Sequence, residues 1–131
     1  MAPNPENGRY LFRNNAPFPI FTASEMYFLI AEASLRKGQG AAALTAYREG
    51  ISKSFDLLTS TYNVNIPVGK EITEATKASY MNNTAIVPAT PAGLNLSKIM
   101  LQKYIAMFAH GTLETWLDMR RFHYTDTDPA T

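Results

Sequence analysis

The 131-residue chain contains no cysteine, which excludes disulfides, thiolate nucleophiles and cysteine-ligated zinc together and leaves the redox compartment undefined. Charge of either sign is not in excess. Twelve Lys+Arg stand against eleven Asp+Glu for a net +1, and the basic residues are scattered, so the electrostatic footprint of a nucleic-acid binder is missing. No run approaches the roughly 20 apolar residues of a membrane span. The opening MAPNPENGRY lacks the basic segment and apolar stretch of a secretory signal. Neither GxGxxG nor GxxxxGK[ST] occurs, so a phosphate-cradling loop is unsupported.

What is present is a 46% hydrophobic sequence long enough for one modest core. The Pro/Asn-rich start after Met1-Ala2 suggests a beginning placed within a longer protein. Residues 1–131 are expected to form one helical domain, with 1–21 as an extended arm carrying Pro3, Pro5, Pro17 and Pro19. Phe12, Phe18 and Phe21 are expected to pin that arm down. Thr22-Ala23-Ser24-Glu25 has capping-box spacing and should start a helix. Phe28, Ala31 and Leu35 form its stripe, Met26, Ile30 and Ala33 widen it, Glu32 and Arg36 pair at i, i+4, and Gly38 stops it.

A second helix should open after Gly40, with Leu44, Tyr47, Ile51, Phe55 and Leu58 on one face and a Glu49–Lys53 pair on the other. The short connection between the two predicts an antiparallel hairpin. Gly50 interrupts the helix interior at a cost of about 1 kcal/mol relative to alanine, which suggests the close approach of a neighbour. Some strand character is expected around Tyr62–Ile66. A third helix is expected from Lys70 to about Asn82 with Ile72, Ala75 and Ser79 on one side, followed by a loop over 83–95. Asn95 or Ser97 caps a fourth, with Leu101, Ile105 and Phe108 beside Met100, Tyr104 and Met107. After His110-Gly111, a last helix should turn Leu113, Trp116 and Leu117 inward and Glu114, Asp118 and Arg121 outward, and 122–131 is tail.

Catalytic residues are hard to find. His110 and His123 have no ligand-like partner at i+4, and a histidine at a helix C-terminus is favoured by the helix dipole. Glu114 and Asp118 lie one turn apart, as a glycosidase acid/base pair would, but that spacing is equally common on solvated faces beside arginine. Trp116 suits either a core position or a sugar-stacking platform. Tyr62, Tyr80 and Tyr124 lie in or beside expected loops, where an aromatic face and a hydroxyl suit a sugar. No metal and no cofactor is called for.

Three ordered segments carry a resemblance. They are Phe18–Ala33 (FPIFTASEMYFLIAEA), with its aromatic-x-x-Ala-Glu-Ala pattern; Ala46–Ser54 (AYREGISKS), with tyrosine followed by Gly-Ile and serine; and Ile99–Phe108 (IMLQKYIAMF) followed by Glu114–Arg121 (ETWLDMRR), with Gln-Lys and Trp-x-x-x-Arg-Arg. Taken together they resemble the SusD/RagB family of outer-membrane nutrient-binding lipoproteins, in its SusD-like branch, over the C-terminal part. The resemblance implies an all-α fold of antiparallel helical hairpins in a tetratricopeptide-like superhelix with long loops. It implies no catalysis, no cofactor, capture of a glycan or peptide nutrient, and a SusC-like TonB-dependent transporter as partner. Membrane attachment would come only through an N-terminal lipid anchor absent from this sequence. Tyr62, Tyr80, Tyr124 and Trp116 are the ligand-binding candidates. Glu32, Gly50, Gln102, Arg120 and Arg121 are expected to be structural, with Glu32 and Arg120 meeting polar groups between helices. The alternative is a helical-repeat protein-interaction scaffold without glycan affinity.

Overall fold

The computed structural model describes residues 8–122. Among them there is no strand, and five helices run in the order α1 (Ala23–Arg36), α2 (Gly40–Ser60), α3 (Glu74–Met81), α4 (Leu96–Ala106) and α5 (Thr112–Phe122). The all-helical class expected from sequence is what forms. The strand character around Tyr62–Ile66 is not realised. That segment, left without a partner strand, follows α2 as turns and bends.

The ends of α1 are written in its own residues. The Thr22 hydroxyl accepts from the Glu25 amide at 3.1 Å, satisfying one of the free donors of the first turn. At the other end Gly38 takes φ +71°, its amide bonds the Leu35 carbonyl and that of Gln39 reaches Ser34. These are the two bonds of a Schellman ending, which needs a left-handed residue where glycine has no Cβ penalty. The chain therefore reverses at once, and α1 and α2 form the most extensive helix pair in the fold.

Their contact centres on Phe28, Ala31, Leu44, Tyr47 and Ile51, all buried. Gly50 lies under the Phe28 ring, where an added Cβ would come within 2.9 Å of Phe28 Cε1. The Ser24 hydroxyl donates to the Gly50 carbonyl at 2.7 Å. Phe28 and Tyr47 meet edge to face with centroids 6.1 Å apart. The Tyr47 hydroxyl donates to Ile86 O at 2.8 Å and Arg48 to Pro88 O at 3.0 Å, so α2 holds the long loop by its carbonyls. Through that loop, Val87 and Leu94 enter the core with Leu96, Ile99 and Met100 of α4.

Several expected faces are different. Met26, Ile30 and Ala33 do not widen the α1 stripe but lie exposed; Ser24, Glu25, Glu32 and Ser34 are buried instead, Ser24 on the Gly50 carbonyl of α2 and Glu25 and Glu32 on the flank near Lys103 of α4 and Arg121 of α5. Phe12, Phe18 and Phe21 are exposed and do not pin the arm. Tyr62 does so, donating its hydroxyl to Pro17 O at 2.7 Å. The third helix starts at Glu74, where the Thr73 hydroxyl caps the Thr76 amide at 3.1 Å. Ala75 and Ser79 are exposed, and α3 is attached through Lys77, salt-bridged to Asp56, and through Tyr80 against Phe55. Lys53 likewise takes Asp56, at 3.2 Å.

The largest departure concerns α4 and α5. Leu101, Tyr104, Ile105 and Phe108 are exposed, as are Leu113, Trp116 and Leu117, while Gln102, Lys103, Thr115 and Asp118 are buried. Both helices thus turn inward a face that carries the polar side chains with partners. Lys103 Nζ and Asp118 Oδ2 stand 2.6 Å apart across them.

Candidate functional site

Of the four ligand-binding candidates, Tyr124 lies outside the described residues, as does His123. Tyr62 is 1% exposed, sealed between the arm and the end of α2 rather than displayed on a loop. Tyr80 is half-buried at the end of α3, its ring edge-on to Phe55 at 5.3 Å. Trp116 is not a core residue: it is 49% exposed, with the Arg120 guanidinium 4.8 Å from the ring centroid. A cation over one face of an indole adds an electrostatic attraction and fixes the ring's orientation.

The polar motif residues separate by role. Glu32 is nearly buried and accepts from Arg36 at 3.0 Å, with Arg121 at 3.9 Å from the same carboxylate. The contact between helices α1 and α5 is therefore made by Arg121, and Arg120, expected to reach between helices, is drawn to Trp116 instead. Gln102 accepts the Tyr80 hydroxyl proton at 2.9 Å, joining two residues twenty-two positions apart. Sequence spacing did not connect them, because the pairing needs the 83–95 loop to return the chain.

Between α2, α4 and the 3-10 turn Tyr10–Phe12 lies an open cavity of about 550 Å³. Ile51, Phe55, Leu57 and Leu58 line one wall, Ile105, Ala106 and Phe108 another, and Arg9, Ser54, Tyr80, Gln102 and His110 supply its polar edges. Two wall residues, Tyr10 (φ 52°) and Ala109 (φ 74°), hold left-handed backbone, which costs a residue with a Cβ. A second, shallower hollow of about 400 Å³ lies beside Phe18, Phe21, Lys53, Asp56 and Tyr62.

The electrostatics oppose a hydrolytic pair. Asp118 is buried in its ion pair with Lys103, whereas Glu114 faces solvent, so the two carboxyls do not share a cleft. Glu25 is buried, and burial pushes its carboxyl above the ordinary range, with Lys103 pulling it back and Glu114 and Asp118 pushing further. The Lys77 ammonium, with Lys53 behind it, holds the Asp56 carboxyl below its usual value. Burial lowers His110. Among the described residues no cluster of His, Asp and Glu is arranged to hold a metal ion, and no helix is long and apolar enough to cross a membrane.

The family model SusD-like, described as starch-binding associating with outer membrane, matches residues 4–131. The chain belongs to the SusD-like family. That family is one of non-catalytic binding proteins, and its starch binding is associated with the outer membrane. No curated protein and no solved structure matches the chain.

Within this SusD-like chain, sequence reasoning missed the inward placement of Glu25 and Asp118 and the cavity beside α2. The one available signal was Lys103. A cation set in the apolar run of α4 needs a carboxylate if it is buried, and the next helix supplies Asp118.

Proposed function

We propose that this SusD-like chain serves glycan capture at the outer membrane, within a lipid-anchored protein that delivers oligosaccharide to a SusC-like TonB-dependent transporter. Alongside the family match over residues 4–131, the observation that supports this most is Trp116. A half-exposed indole, braced by Arg120, offers a flat apolar face to the C–H side of a sugar ring, and the guanidinium beside it offers donors to hydroxyls. Tyr62 is a weaker candidate, since its ring is covered and its hydroxyl engaged.

Isothermal titration with maltooligosaccharides tests the proposal. Binding should be measurable in the wild type, and Trp116→Ala should weaken it by about tenfold, on the order of one stacking contact. Unchanged affinity in the variant would remove Trp116 from the site, and no binding to any glycan by a folded, full-length protein would end the proposal.

A second reading, a helical scaffold for protein contact, is favoured by the exposed stripes of α4 and α5, where Leu101, Ile105, Phe108, Leu113 and Leu117 lie in the open. Exposed apolar surface of this extent marks interaction sites. Co-purification with the transporter in the absence of any glycan affinity would favour it.

A further inference from the structure

The cavity beside α2 has a chemistry unlike that of a sugar site. Its size is that of a small-molecule site, and Ile51, Leu57, Leu58 and Ile105 give it an aliphatic lining beside Phe55 and Phe108. Sugar hydroxyls placed against such walls would lose their hydrogen bonds to water without replacement. Its charge is of one sign. Arg9 lines the cavity, and no Asp or Glu does so among the described residues.

The polar rim divides into donors already engaged and donors left over. Ser54 gives its hydroxyl proton to Ile51 O at 2.8 Å, and Tyr80 gives its own to Gln102 Oε1 at 2.9 Å. His110 is different. Both of its ring nitrogens are buried, and neither has a hydrogen-bond partner among the described residues. Burial outweighs the pull of the Phe108 carbonyl and of Glu114 and holds the ring below its ordinary pKa, so at neutral pH one nitrogen is an N–H donor and the other an acceptor. A buried polar group left unmade is costly, and the broad χ2 torsion of histidine lets the ring turn toward a guest with little strain.

Strain marks the same two positions. Tyr10, next to Arg9, and Ala109, next to His110, both hold positive φ, and left-handed backbone in residues with a Cβ clusters where ligands are held.

We propose that this cavity binds an apolar monocarboxylic acid, its acyl chain along Ile51, Leu57 and Ile105 and its carboxylate at Arg9 and the His110 N–H. Hydrogen bonds to an ionised carboxylate are roughly twice as strong as neutral ones, a gain that an alcohol of the same length forgoes. Trp116 does not line the cavity, so binding here is independent of glycan capture.

Titration of the full chain with octanoate and with 1-octanol at neutral pH, observed by NMR, separates the charged head from the apolar body. Both should shift the methyl signals of Ile51 and Leu57, with octanoate bound about tenfold more tightly, the increment of one charge-assisted hydrogen bond. An apolar cavity alone would favour the alcohol, whose head is easier to strip of water. Octanoate should also shift the ring protons of His110. Arg9→Met and His110→Phe should each shrink the preference while 1-octanol still binds. The wild-type comparison stands even if a variant misfolds. Equal affinity for the two compounds, no shift with either, a preference undiminished in both variants, or shifts confined to Leu113 and Leu117 would each overturn the proposal.

Discussion

Lys103 and Asp118 meet 2.6 Å apart with side chains only 5% and 6% exposed, so the contact between α4 and α5 rests on a charge pair taken out of water. Breaking such a pair from one side leaves the other charge buried alone, at about 3–5 kcal/mol, whereas replacing both partners with apolar residues is often neutral or stabilising. Lys103→Met and Asp118→Leu should each destabilise by that amount, and the double variant should recover most of the loss. Urea unfolding of the four proteins gives the cycle. Single variants within about 1 kcal/mol of wild type would show that the pair is solvated.

Gly50 and Phe28 give a steric prediction. With the ring only 2.9 Å from the place of a Cβ, Gly50→Ala should destabilise by about 1–3 kcal/mol through overpacking, despite alanine's better helix propensity. Phe28→Leu should make the alanine less costly, so the two substitutions should be non-additive in denaturant unfolding. A stabilised Gly50→Ala protein would mean that Phe28 swings aside freely.

A half-buried histidine sets a pH dependence. Burial holds His110 below its ordinary 6.5 in the folded chain, so between the two values the unfolded chain binds more protons and stability falls as the pH drops below 6.5. His110→Phe should therefore lose less Tm than wild type between about pH 7.5 and about pH 5.5. Equal losses in the two proteins would place His110 in water. Glu25 acts with the opposite sign. Its raised carboxyl contributes stability present below 4.5 that is lost as the pH rises through the folded value, a window that Glu25→Gln should abolish in thermal scans.

How far the sequence reached can be judged helix by helix. The capping Thr22, the left-handed Gly38 and the immediate reversal into α2 follow from local chemistry, since a hydroxyl three residues from an amide and a glycine at a helix end act within one turn. The α2 stripe of Leu44, Tyr47, Ile51, Phe55 and Leu58 was equally legible, because the remaining faces of that helix are polar enough for the period to have one solution. The Ala-Glu-Ala, Gln-Lys and Trp-x-x-x-Arg-Arg segments also sufficed to point to the family that matches residues 4–131.

The orientation of α4 and α5 belonged to the tertiary structure alone. In α4, apolar residues surround the axis, so the hydrophobic period is degenerate and Leu101 looks as suited to the core as Ile99. In α5 the apolar face is clear, yet it points outward. What decides both is the cost of burying an unpaired charge or amide: Lys103 can enter only where Asp118 meets it, and Gln102 only where Tyr80 does. The loop over 83–95 returns Gln102 to Tyr80, and the turn over 107–111 folds α5 back so that Asp118 reaches Lys103; no helical period encodes either meeting. The same rotation leaves Trp116 in the open and Gln102 on the cavity wall.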